Sequence, residues 1–265
     1  MKIEFMNLEV FYVDAFADKL FSGNPAAVIF TDLNDENLMQ KIAAENNLSE
    51  TAFINVKGNT NFIRWFSPTT EVNLCGHATL ASAYIYFNYI DTSKSEISFQ
   101  SASGDLKVSK KLDIYELDFP KDNFQKIDAV EKVFSVTGTR PIETYIGDIN
   151  MLAVYETEED IKLMKPNFEN LLDLEGQGLI VTSRSNDFDF VSRYFCPKYG
   201  INEDPVTGSA HTTLIPYWST SLSKTKLHAK QVSLRGGELF CENLDERVLI
   251  GGKAELFMKG RIEIN

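Results

Sequence analysis

Two stretches of this chain follow one plan, and that repetition limits the possible folds more than any other feature. Arg64-Trp65-Phe66-Ser67-Pro68 leads to Gly76-His77-Ala78-Thr79, and Arg193-Tyr194-Phe195-Cys196-Pro197 leads to Gly208-Ser209-Ala210-His211. The arginine-to-glycine spacing is 12 positions in the first stretch and 15 in the second. Each begins with a strand pattern, turns, and enters an apolar segment, residues 80–90 or 214–218. A strand–turn–helix unit repeated once implies two related halves rather than a solenoid. The second linker carries a short insertion.

The apolar segments say what the halves must do. Residues 72–90 contain no Asp, Glu, Lys or Arg, a length that could span a bilayer. They also carry Asn73, Gly76, His77, Thr79, Ser82 and Asn88, which favours a helix buried inside a folded domain. A helix apolar on all faces must be enclosed, and a curled sheet wrapped round it does that. The expected class is therefore α+β. Two pseudo-symmetric halves each wrap a mostly antiparallel sheet round a central helix, and they face each other across a cleft suited to a small molecule. The halves are placed at 1–120 and 121–265, with the C-terminus free to pack back on the first.

Strand patterns rich in Val, Phe, Tyr and Ile recur through the chain. Gly23-Asn24-Pro25 reads as a turn, residues 34–46 as a helix, and Gly58-Asn59 and Ser185-Asn186 as hairpin tips. Residues 158–174 read as a helix broken at Pro166. The second central helix is expected from Gly208, with Pro216 kinking or shortening it.

Composition removes several functions. The formal net charge of −12 argues against a nucleic-acid backbone as partner. The three cysteines, Cys75, Cys196 and Cys241, form no CxxC and predict neither a disulfide framework nor a zinc knuckle. Met1-Lys2-Ile3-Glu4-Phe5 lacks the apolar core of a signal peptide, so a reducing cytoplasm and no membrane are expected. No GxGxxG or P-loop points to a nucleotide cofactor.

The residues suited to chemistry cluster near the repeat. A helix start presents unpaired N–H groups to an anion, and glycine lets the anion approach. Gly208 fits that role, Ser209 adds a hydroxyl and Asp204 a carboxylate, although the same types also serve as plain helix caps. Glu50, after a helix and at the mouth of an apolar strand, suits a general acid/base or is a solvated loop residue. Glu45, inside that helix, reads as a surface residue. His77 at the first helix start is expected to be neutral, as a ligand-binding group or a satisfied core histidine. Ser209 with His211, and Cys75 with His77, stand two apart and cannot face each other on a helix. Spacing among His77, His211 and His228 gives no support for a metal.

Several motifs together resemble the PhzF-like family of phenazine-biosynthesis isomerases. They are Asp14-Ala15-Phe16, Gly23-Asn24-Pro25-Ala26-Ala27-Val28, Ser49-Glu50-Thr51-Ala52-Phe53, Cys75-Gly76-His77-Ala78-Thr79 and Glu203-Asp204-Pro205-Val206-Thr207-Gly208-Ser209-Ala210-His211. The resemblance implies the diaminopimelate-epimerase fold and a cofactor-free isomerase that transfers a proton, commonly a homodimer. It implies Glu50 as the acid/base, with His77, Asp204 and Ser209 as further catalytic positions. Gly76, Ala78, Thr207 and Gly208 are then the substrate-binding positions, taking the carboxylate of a small metabolite. Related epimerases use two cysteines; here Cys75 stands in the first half, and the second-half motif has no thiol. Two other readings remain: a cysteine-dependent amino-acid racemase, and a non-catalytic small-molecule-binding protein.

Overall fold

The computed structural model describes residues 6–58 and 60–264. Asn59, expected at a hairpin tip, and the segment Met1-Lys2-Ile3-Glu4-Phe5 lie outside the described residues. The chain forms two compact units. The first comprises residues 1–118 together with 251–265, and the second residues 119–250.

In the first unit, Met6–Ala15 pairs antiparallel with both Ala254–Ile264 and Asn24–Phe30. Asn24–Phe30 then pairs parallel with Glu50–Lys57. Parallel neighbours need a crossover, and the helix Glu36–Asn46 supplies it. Asp35 caps that helix by accepting the Leu38 N–H, and Asn47 ends it with φ 49°. Met39, Ile42 and Ala43 of the helix cover Ala27, Ile29, Phe53 and Phe66. Glu50–Lys57 turns back antiparallel into Thr60–Phe66. The two-residue strand Glu71–Val72 follows, then the central helix Gly76–Ile85. The strand Glu96–Ser101 runs parallel to Thr60–Phe66, and two further hairpin strands complete the order.

The second unit repeats this order. Glu143–Ile146 pairs antiparallel with Met151–Val154, which pairs parallel with Leu179–Arg184. That strand turns back into Phe190–Phe195, followed by the two-residue strand Glu203–Asp204 and the helix His211–Leu222. Lys226–Gln231 then runs parallel to Phe190–Phe195 and antiparallel to Gly237–Leu244. The fold class is thus α+β, with mixed, mostly antiparallel pairing in each unit.

The repeated arginine explains why the sequence motif recurs. Arg64 makes a bidentate pair with Glu71 through Nε and Nη2, both at 2.6 Å. Arg193 makes the same pair with Glu203 at 2.7 and 2.8 Å. Each guanidinium lies over the ring two residues on, Phe66 or Phe195. Each pair therefore clamps a two-residue strand beside the central helix, with the planar geometry that favours Arg over Lys. The extra residues of the second linker sit between Phe195 and Glu203, where Pro197–Tyr199 forms a 3-10 turn. From Glu71 to Gly76 and from Glu203 to Gly208 the spacing is identical.

The first central helix is buried and the second is buried along one side, and several of their polar side chains bond to the preceding turn. Thr79 donates to the Cys75 carbonyl and Ser82 to the Ala78 carbonyl. His211 takes the equivalent role, its Nδ1 donating to the Thr207 carbonyl at 2.8 Å. Such bonds to the preceding turn let polar residues occupy a core helix.

Several expectations need correction. Asn24 and Pro25 open a strand, and only Gly23, at φ +68°, belongs to the turn. The first central helix is α-helical only to Ile85 and continues as the π-turn Tyr86–Ile90. Residues 158–174 are broken around Pro166 as expected, but the helices either side, Glu158–Lys162 and Phe168–Leu171, are shorter than the pattern implies. Gly208 does not begin the second helix. A tight turn precedes it, with His211 N–H bonded to the Gly208 carbonyl, and α-helix starts at His211. Pro216 does not shorten that helix, which reaches Leu222. Proline orphans the carbonyl four residues earlier, and the Asp122 N–H takes up that Thr212 carbonyl at 3.2 Å.

Candidate active site

The first unit gathers Glu50, Cys75 and His77 around one imidazole. Glu50 is the first residue of its strand and His77 the second of the central helix. His77 Nε2 lies 3.2 Å from Glu50 Oε2, at ion-pair distance but off the line of a hydrogen bond. The Glu50 side chain keeps 18% of its exposure, against 7% for His77. On the other ring nitrogen, Asn24 Nδ2 donates to Nδ1 at 3.2 Å. A neutral imidazole has one donor and one acceptor, so this bond places the proton on Nε2, facing the carboxylate. Burial holds the imidazole down to about 3, so it is neutral at ordinary pH. Desolvation is the cause.

The Cys75–His77 expectation is overturned. Cys75 Sγ lies 3.5 Å from His77 Nδ1. Cys75 is the residue before the helix, extended at φ −142° and ψ 112°, so helical spacing does not govern it. All three cysteines are buried and unpaired by disulfide. The ligand atoms of Glu50, Cys75 and His77 lie within 4.8 Å of one another, a donor set that could hold a divalent cation. Spacing among the histidines alone gave no sign of this set.

The second unit gathers Asp204, Thr207 and Gln231. Thr207 donates its hydroxyl to Asp204 Oδ2 in a short bond. Gln231 Oε1 accepts the Thr207 N–H at 2.9 Å, while Nε2 donates to the Asp204 carbonyl at 2.8 Å and the Thr207 hydroxyl at 3.2 Å. Asp204, Thr207 and Gly208 are buried, and Ser209 is half-buried. His211 packs against Phe190, and burial lowers it to about 4 although its bond to the Thr207 carbonyl acts the other way. In the first unit Gly76 and Ala78 are likewise buried beside His77.

Residues 13–260 match the PhzC-PhzF family, described as phenazine biosynthesis-like protein. The chain belongs to that family. An uncharacterized isomerase of Pseudomonas aeruginosa is 45% identical to it, over 98% of this chain and all of that one. The human phenazine biosynthesis-like domain-containing protein is 41% identical, over 97% of this chain and 99% of its own. A crystal structure of a PhzF-family protein from Enterococcus faecalis is 47% identical, superposes with a TM-score of 0.95, and covers 98% of this chain and all of that one. A hydroxyproline epimerase from Agrobacterium vitis shares the fold at 9% identity, with a TM-score of 0.62 and coverage of 98% and 92%. This PhzF-family protein is an isomerase with the diaminopimelate-epimerase-like fold.

Sequence reasoning missed Asn24, Gln231 and the two clamp glutamates. Glu71 and Glu203 had a signal, since each stands five residues before its motif glycine. Asn24 lay within a quoted motif but read as a turn residue. Gln231 sits in an ordinary strand pattern and had none.

Proposed function

We propose that this protein moves a proton between positions of a small carboxylate-bearing metabolite by general acid/base catalysis, without a cofactor. The observation that carries the reading is the Glu50 carboxylate beside a buried, neutral His77. Glu50 takes the proton from one carbon and returns it to another. His77, holding its proton on Nε2, donates to an oxygen on which negative charge develops. A fixed donor in a low-dielectric setting stabilises such charge without reorganising. Asn24 is a positioning residue, because its amide selects the tautomer.

The substrate carboxylate is assigned to backbone N–H groups near Gly76 and Ala78; Gly208 and Ser209 hold the counterpart position of the second unit, beside a Thr207 N–H that Gln231 already occupies. Asp204 fixes the Thr207 hydroxyl and, with Ser209, completes the polar set of that unit. A homodimer in the cytoplasm is part of the proposal. No helix among the described residues is long and apolar enough to cross a membrane.

The proximity of Cys75 to His77 favours a second reading, a racemase with a thiol base. Such an enzyme needs a base on each face of the carbon. The register places Thr207 where the first unit has Cys75, so a second thiol is lacking there. The test begins with a thermal-shift screen of small cyclic acids and amino acids, since a ligand of the folded state raises its stability. Each hit is then incubated in D₂O with wild-type protein and with thiol-alkylated protein. Deuterium gain at carbon by both supports the glutamate mechanism, and loss on alkylation of a protein that stays folded supports the thiol. Binding without any exchange would leave only a binding protein.

A further inference from the structure

A carboxylate, a thiol and an imidazole meet in the first unit, placed as the ligands of one cation would be. Glu50, Cys75 and His77 each bring a donor atom within 4.8 Å of the other two. No other three His, Cys, Asp or Glu donors stand as close among the described residues. His77 Nε2 is buried and has no hydrogen-bond partner there. Glu50 Oε2 is 3.2 Å from it, but beside the N–H direction rather than along it. A hydrogen bond favours an oxygen on that line. Two ligands of one tetrahedral zinc ion instead sit side by side, about 3.3 Å apart for bonds of about 2.0–2.1 Å.

The Asn24 amide occupies the line of Nδ1 at 3.2 Å, which leaves Nε2 as the ligand atom. A metal on Nε2 requires the ring proton on Nδ1. Asn24 accommodates that change by turning its carboxamide, which carries an acceptor at one end and a donor at the other. It then serves as the outer hydrogen-bond partner that orients a metal-bound histidine. Cys75 Sγ lies 3.5 Å from the ring at Nδ1, and an inward movement of about 1 Å brings such a set to bonding distance. The second unit has no counterpart, with Gly178, Thr207 and Ser209 at the corresponding positions, so the set occurs once per chain.

We propose that Glu50, Cys75 and His77 form an inhibitory site for zinc or a divalent cation of similar softness. A thiolate with an imidazole selects such an ion over Mg²⁺ or Ca²⁺, which take oxygen ligands. On binding, the Cys75 thiol gives its proton to solvent, the imidazole keeps one proton, now on Nδ1, and Glu50 ligates through one oxygen. Thiolate and carboxylate together neutralise the dication, so the buried site carries no net charge. Three protein ligands leave the fourth position to water. Glu50 keeps the greater exposure of the pair, and the ion enters from its side. A carboxylate held by the metal no longer takes a proton from carbon. The inhibition rests on the function proposed above, whereas the site rests on the donor geometry alone.

The test is titration of the reduced wild-type protein with Co²⁺, Zn²⁺ and Mg²⁺. Co²⁺ should raise a thiolate-to-cobalt charge-transfer band in the near ultraviolet that saturates at one ion per chain. Zn²⁺ should abolish the band, and excess Mg²⁺ should leave it unchanged. Calorimetry should show Zn²⁺ binding weakened at least about 100-fold by Cys75→Ser, since losing even an outer partner of a ligand costs about 10–100-fold. Cys241→Ala, at a buried cysteine outside the set, should leave the affinity unchanged. No band, displacement by Mg²⁺, or unchanged affinity in a folded Cys75→Ser protein would overturn the site. If that variant does not fold, alkylation of the wild type decides. Zn²⁺ should slow labelling of Cys75, read by peptide mass spectrometry, and equal labelling with and without Zn²⁺ would overturn the site. Zn²⁺ should also stop deuterium exchange into a screened ligand. Binding that leaves exchange intact would support the site and overturn the inhibition.

Discussion

At the first unit's helix entrance, Cys75 and His77 follow Glu71 by four and six residues; at the second, Thr207 and Ser209 follow Glu203 by the same steps. Both glutamates are clamped by an arginine on the neighbouring strand. The frames match while the reacting positions do not. Glu50 has Gly178 as its counterpart, and a Cβ there would come within 2.5 Å of the Tyr194 hydroxyl. Tyr194 is itself fixed by donating to Asn150 at 2.9 Å. The second unit therefore has no room for a carboxylate at the place where the first holds Glu50. The duplication kept the ion pair that supports each entrance and let the polar side chains beyond it diverge. One entrance carries an acid, an imidazole and a thiol, and the other a closed carboxylate–hydroxyl–carboxamide network.

The largest effect should come from removing the group that the second unit lacks. Glu50→Gln keeps size and loses proton acceptance, and should lower turnover by about 10²–10⁴-fold with ligand affinity nearly unchanged. Steady-state kinetics on a screened substrate measures both. Next come the clamps, which share a motif but not an environment. The Arg193 side chain is 12% exposed and also donates to the Ile161 and Met164 carbonyls, whereas Arg64 is 32% exposed. Arg193→Ala should cost roughly 3–5 kcal/mol of stability, and Arg64→Ala roughly 1 kcal/mol. Equal losses in denaturant titrations would show that the two clamps are interchangeable.

The buried histidines make stability depend on pH. Burial lowers His77 to about 3 and His211 to about 4, while an unfolded histidine titrates near 6.5. Their contribution is complete above about pH 6.5 and is lost as pH falls towards those values, because the unfolded chain binds protons first. Each contributes a slope of about 1.4 kcal/mol per pH unit in that window. Urea midpoints between pH 7 and 5 should show one proton fewer in the slope of His211→Asn than in wild type. Gln231→Ala should cost roughly 1–3 kcal/mol by leaving the Thr207 N–H and the Asp204 carbonyl unpaired, which unfolding of the variant measures. Cys75→Ala should be the mildest, with turnover within a few-fold of wild type and roughly 1 kcal/mol lost on unfolding. Abolished turnover in a folded Cys75→Ala protein would move the base from Glu50 to the thiol.

Local pattern carried most of the architecture. The strands, both hairpins and the two buried helices followed from alternation, turn residues and the absence of charge. The duplication followed from the arginine motif. What escaped depends on contacts that spacing does not encode. Cys75 meets His77 because the residue before a helix is extended, so a rule for helical residues misjudged it. The turn at Gly208 shows that equal spacing from a clamp does not force equal helix starts. Pro216 was tolerated because Asp122, distant in sequence, bonds the carbonyl that proline leaves open. Asn24 acts on His77 across 53 positions and Gln231 on Asp204 across 27. Only a folded chain brings such partners together.

Glu50 is the group proposed to handle the proton. The most direct measurement follows deuterium entering a carbon-bound position of a screened ligand in D₂O, by mass spectrometry, with wild type and Glu50→Gln at equal saturation. The wild type should incorporate deuterium or transfer the substrate's own hydrogen, and the variant should do so at least about 10²-fold more slowly while binding the ligand equally well. Equal incorporation by both proteins would contradict the account and remove Glu50 from the chemistry.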